Sequence, residues 1–65
     1  MKNVVLFELR DVYNELQQAI EYLDYRKAKE KDSRERKGLE REIHGIEVAQ
    51  RMIERRIKEI EGVYR

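Results

Sequence analysis

Glutamates recur every seventh residue at Glu40, Glu47, Glu54 and Glu61, and a histidine, His44, follows the first of them by four residues. Carboxylates and an imidazole are the groups that general acid–base catalysis and metal binding draw on, so these residues come first. A carboxylate serves as a catalytic acid or base only where desolvation or a close charge partner retunes it. A row at this spacing, beside Arg10 and Lys31, reads instead as an ion-pairing edge. Carboxylate-bridged metal bundles need inward-pointing carboxylates and a Glu-x-x-His pair. Here the apolar stripes carry no carboxylate, and His44 falls on an outer face. No cysteine is present, which removes thiolate metal sites and disulfides. No serine stands beside a base, and no glycine-rich phosphate loop occurs. The expectation is a protein that is not an enzyme and holds neither metal nor cofactor.

Binding chemistry is better represented. Residues 26–41 carry eight basic side chains, Arg26, Lys27, Lys29, Lys31, Arg34, Arg36, Lys37 and Arg41, against four acids, Glu30, Asp32, Glu35 and Glu40. Tyr22 and Tyr25 border them and could stack on bases or rings. Such a patch attracts phosphates. Arg55 and Arg56, with tyrosines, form a second candidate, a cleft between subunits. The expected anionic ligand is RNA, DNA or a nucleotide. The competing explanation is a solvated helix turn with interleaved charges. A formal net charge of only +1 is low for a nucleic-acid binder and favours that explanation.

Two long helices must position these groups. Leu6, Leu9, Tyr13, Leu16, Ile20 and Leu23 alternate spacings of three and four, as do Leu39, Ile43, Ile46, Gln50, Ile53, Ile57, Ile60 and Tyr64. Each set is a narrow apolar stripe on a helix. The first stripe continues only into charged residues (Lys27, Glu30, Arg34, Lys37), and the second is out of phase with it, so one unbroken helix is excluded. Folding the chain back at Ser33 brings the stripes together. Leu23 then faces Ile43, Ile20 faces Ile46, Leu16 faces Gln50, Tyr13 faces Ile53, Leu9 faces Ile57 and Leu6 faces Ile60, each pair lying equally far either side of Ser33. Asp32 can cap the second helix while Glu35 reaches back to it. A later fold point, with Gly38 capping the first helix, is the alternative. The chain is therefore read as a single all-α domain over residues 1–65, an antiparallel, coiled-coil-like helical hairpin. Its first helix runs from about 3 to 29, its turn from about 30 to 33, and its second helix from about 33 to 63. Gln50 is the one polar residue in the seams, and its expected role is to set register and partner choice.

Charged residues are 45% of the chain and proline is absent, which matches long-helix composition. A chain this short usually needs a disulfide, a metal or a partner to fold, and only a partner remains. The flanks of the stripes indicate where it sits. One flank carries Val5, Val12, Ala19, Ala49 and Val63, with Tyr22, Gly45 and Met52 beside them; the other carries the glutamate row opposite Arg10, Gln17 and Asp24. A widened apolar face is what a bundle helix needs, and Gly45 with Ala49 allows close backbone approach. The expected assembly is a homodimeric four-helix bundle or higher oligomer closed by symmetry. The longest apolar run, Val4 to Phe7, is too short for a membrane span or signal-peptide core, so a soluble, cytoplasmic protein with no membrane partner is expected. The expected function is a small regulator, inhibitor or adaptor docking on a protein partner. Anion binding is the alternative, and a scaffolding role a weaker one.

Overall fold

A computed structural model describes residues 2–62, with side chains from residue 3. The chain forms two helices, α1 (Lys2–Lys29) and α2 (Ser33–Glu61), packed against each other as a hairpin. Val63 and Tyr64, placed by the sequence on the open flank and at the end of the second stripe, lie outside the described residues. Among the described residues no helix is long and apolar enough to cross a membrane.

The turn lies between Lys29 and Ser33, and its geometry follows from three short-range contacts. Asp32 has extended backbone and its carboxylate accepts the Arg34 N–H at 2.8 Å, the N-cap interaction that satisfies one of the free donors at a helix start. The reciprocal contact is not made by Glu35. The Glu30 carboxylate accepts the Asp32 N–H at 3.2 Å instead. Glu30 precedes the cap within the turn and reaches Asp32 directly, leaving Glu35 as a first-turn acid favourably placed in the helix dipole field. Arg36 crosses back to donate to the Glu30 carbonyl at 3.2 Å. Gly38 lies inside α2 and caps nothing. At the other end, α2 runs to Glu61, close to the expected end. Gly62 takes the left-handed conformation (φ 75°), and its N–H returns to the Glu59 and Lys58 carbonyls. Only glycine adopts that geometry without a Cβ penalty.

The seam is buried unevenly. Ile20, Leu23, Leu39 and Ile43 form the buried cluster near the turn, with Ile46 packed against it; Leu6 is buried at the open end. Leu9, Tyr13, Leu16, Ile53, Ile57 and Ile60 are half-buried. Among the described residues no side chain is fully buried. The molecule measures 46 × 21 × 12 Å, and its thin dimension is that of a single helix with side chains, about 10–12 Å. A slab this thin leaves about half of the described seam residues only half-buried. The register agrees with a fold point at Ser33, since Gln50 of α2 reaches Tyr13 and Gln17 of α1, either side of Leu16.

Replacing Asp32 by Ala should cost about 1 kcal/mol by removing the cap. At fixed protein concentration this lowers the melting midpoint by about 4–8 °C. Glu35→Ala should lower the midpoint by less, since it removes only a favourable charge in the first turn. Thermal melts followed by circular dichroism distinguish the two, and equal losses would overturn the assignment of Glu30 as the contact to Asp32.

Candidate binding surfaces

Three surfaces are set by the hairpin: a polar node in the seam, the charged tip, and the open apolar flank. The node centres on Gln50, which is only 7% exposed. Its amide nitrogen donates to the Tyr13 carbonyl at 3.3 Å and to Gln17 Oε1 at 3.1 Å. Gln17 in turn donates to Glu21 Oε2 at 3.4 Å, which holds its carbonyl toward Gln50. Among the described residues no buried side-chain polar atom lacks a partner. The glutamine is thus satisfied by its own chain, as a register-setting polar residue must be. A shallow depression beside it is lined by Tyr13, Glu47, Gln50, Arg51 and Glu54. It is open to solvent and carries both signs of charge, so it has neither the enclosure nor the electrostatic bias of a small-molecule site.

The glutamate row runs along the edge next to this node. Glu61 pairs with Arg10 across the hairpin, linking the start of α1 to the end of α2. Among the described residues, Glu40, Glu47 and Glu54 form no ion pair, and Lys31 does not join the row. No three histidine, cysteine, aspartate or glutamate side chains among the described residues come together in a group that could hold a metal ion. His44 is exposed, in a shallow dip with Lys37, Glu40 and Arg41.

At the tip, several cations have local work. Lys27 pairs with Asp24 at 3.9 Å. Lys29 places its ammonium 5.0 Å from the centre of the Tyr25 ring, a cation–π contact. Arg36 is held on the Glu30 carbonyl. Arg26, Lys31, Arg34, Lys37 and Arg41 are exposed. The tip is therefore less uniformly available to an anion than its composition suggests, because the same cations stabilise the turn. Arg55 and Arg56 point apart, being successive residues on a helix, and Arg56 is drawn to Glu59 at 3.3 Å. Tyr22 and Tyr25 lie near the turn, whereas Arg55 lies roughly 18 Å further along the hairpin at 1.5 Å per residue. One hairpin does not bring these arginines and tyrosines together.

The open flank carries Val5, Val12, Tyr22 and Met52, all exposed, with Ala19 and Ala49 half-buried between the helices and Gly45 exposed. A Cβ built on Gly45 would meet nothing within 4 Å, so within the hairpin its small size relieves no contact. Beyond this flank, Val4 and Phe7 stand on the outer side of α1, and Phe7 is 71% exposed.

Comparisons of the chain with protein-family models, with curated proteins and with solved structures find no match.

Gln50→Leu should melt no lower than the parent, because Leu16 opposite gains an apolar partner while Gln17 turns to water. Replacing a satisfied buried polar group by a well-packed apolar one is often neutral or stabilising. Gln50→Ala should melt lower, since it leaves the space unfilled. A Gln50→Leu melt well below the parent would show that the amide network stabilises the seam on balance.

Proposed function

We propose that this chain is a non-enzymatic binding protein that works as a homo-oligomer, two hairpins pairing through the open flank into a four-helix bundle. Its role in this reading is that of a small regulator or adaptor that docks on a protein partner.

The observation that carries the oligomer is surface area. The chain exposes 5547 Å² for 8.0 kDa. A folded globular monomer of that mass exposes roughly 4,450 Å² by the usual scaling. The excess, about 1,100 Å², is comparable with the roughly 800 Å² that each partner buries in a standard protein interface. The flank of Val5, Val12, Ala19, Ala49 and Met52 is the apolar strip from which such burial can be drawn. It runs beside the seam, so a second copy laid against it would turn half-buried seam residues into core. A two-fold arrangement satisfies both copies with one surface and closes the assembly.

The choice of a protein partner rests on what the hairpin offers once that flank is covered. Phe7 and Val4, one turn apart on α1, remain exposed, and aromatic side chains are enriched at protein interfaces.

Sedimentation equilibrium at micromolar concentration should show a dimer or larger species, and the melting midpoint should rise with protein concentration, because association stabilises the folded state by mass action. Ala49→Glu should shift the population towards monomer and lower the midpoint. Ile53→Asp should unfold the chain outright, since it buries an unpaired charge in the seam. A stable folded monomer would overturn the oligomer, and an intact oligomer carrying Ala49→Glu would overturn the choice of flank. For the partner, Phe7→Ser should preserve the oligomer while releasing any protein that copurifies with it from its own host, as read by native mass spectrometry.

A further inference from the structure

The charge of α2 is sorted by helix face, and the sorting extends well beyond the tip. Lys37, Arg41, His44, Arg51, Arg55 and Lys58 follow one another at spacings of three, four and seven, with Arg34 extending the line towards the turn and Val48 as its one uncharged, non-histidine position. These are the two heptad positions furthest from the seam, and every one of these residues is exposed. None of the seven glutamates of α2 falls on either position. They occupy the edge facing α1, the opposite flank, or, for Glu59, the margin beside Arg56. Among the described residues the ion pairs are Arg10–Glu61, Lys27–Asp24 and Arg56–Glu59. The cations of this ridge are thus uncommitted, in contrast to several at the tip.

The glutamates beside the ridge give some of its cations an opposite charge at i, i+4, Glu47 to Arg51 and Glu54 to Lys58. Within the ridge itself, Lys37 with Arg41 and Arg51 with Arg55 place like charges at that spacing. An anion laid along the ridge relieves that repulsion. From Lys37 to Lys58 the ridge is roughly 32 Å long at 1.5 Å per residue, close to one turn of duplex at about 34 Å. Its composition also selects the partner. Protein interfaces deplete charge at their centre and place aromatic residues there, but this ridge contains no aromatic residue other than the His44 ring. A membrane-lying helix needs an apolar face opposite its basic one, and that face of α2 is spent on α1. Interfaces with nucleic acid are polar and strongly positive.

We propose that the outer face of α2 is a docking ridge for the phosphate backbone of a nucleic acid, engaged through Lys37, Arg41, Arg51, Arg55 and Lys58 with His44 as an additional donor. Contacts of this type position the protein on the backbone without reading sequence. The ridge points away from the seam and does not use the flank assigned to self-association, so the oligomer leaves it accessible.

The test uses the full chain and two triple variants that remove equal charge from different places. Arg51→Gln, Arg55→Gln and Lys58→Gln together alter the end of the ridge far from the turn; Arg26→Gln, Lys29→Gln and Lys31→Gln together alter the tip. Binding is measured by fluorescence anisotropy with a labelled mixed-sequence duplex and with a single strand, between about 50 and 200 mM salt. The parent should bind in the range of about 10⁻⁴–10⁻⁶ M typical of backbone recognition, and weaken steeply with salt. The ridge variant should lose at least about tenfold in affinity at low salt, and its salt slope on duplex should fall by about 2.7, from 0.9 per lost contact. The tip variant should stay within about threefold of the parent. Three results would overturn the proposal: no binding by the parent, loss confined to the tip variant, or binding to vesicles of anionic lipid without binding to nucleic acid. Should the ridge variant fail to fold by circular dichroism, Lys37→Gln with Arg41→Gln replaces it under the same tenfold criterion.

Discussion

The interaction on which everything else in this molecule depends is the contact of two apolar stripes along a single edge. It aligns the helices and puts the turn at residues 30–32. It is also too narrow to bury any described side chain fully. The consequence is a slab one helix thick, whose buried apolar cluster (Ile20, Leu23, Leu39 and Ile43) lies where the turn holds the helices together, with Gln50 and Leu6 buried singly further along. Further towards the open end, coverage falls to half for Leu9, Ile53, Ile57 and Ile60. Covalent closure at one end keeps the helices near each other there. At the other end, among the described residues, Leu6 is buried and the Arg10–Glu61 ion pair links the helices, and exposed pairs of that kind contribute little, about 0–1 kcal/mol.

That constraint explains why the surface of this chain is so sharply divided. With only one seam, the remaining faces of each helix must carry both solubility and function. The chain as a whole exposes more area than a globular monomer of this mass, and Val5, Val12 and Met52 on the flank beside the seam are part of that exposed surface. The edge on the opposite side is polar, with the glutamate row facing Arg10, Gln17 and Asp24. The outer side of α2 is basic from end to end, while the exposed part of α1 between residues 3 and 25 carries Glu8, Asp11, Glu15, Glu21 and Asp24 against Arg10. A nearly neutral chain is thus strongly polarised across its width. Whole-chain charge is a poor guide to what such a protein attracts, because a ligand within a Debye length, about 10 Å at 0.1 M salt, responds to the nearest face.

Gln50 shows how a polar residue can serve the same constraint. In a wholly apolar seam, a shift of one heptad costs little, since another aliphatic pair takes the place of the first. Gln50 finds the Tyr13 carbonyl and the Gln17 side chain in one register only, and any slip would leave its amide half-buried without them.

Much of the architecture was legible in the sequence because heptad periodicity is a local property: it marks the face of each helix, and the mirror symmetry of the two stripes about Ser33 marks the fold point. Asp32 as a cap was legible for the same reason. Gly62 is a stop signal of the same local kind, a glycine in the left-handed conformation just after Glu61. The sorting of basic residues onto one face of α2 is also written in the sequence at helical spacing, but it is hidden when charge is counted by segment. Only the tertiary structure decided which partners the polar groups choose. Glu30 rather than Glu35 meets the Asp32 N–H, Lys29 turns onto Tyr25, Arg36 onto the Glu30 carbonyl, and Gln50 onto α1. These choices depend on side-chain reach along a helix, across a turn or between helices, at distances from 3.1 to 5.0 Å. The depth of burial along the seam was likewise settled in three dimensions, since identical spacing in sequence yields a buried Ile43 beside the turn and a half-buried Ile57 far from it.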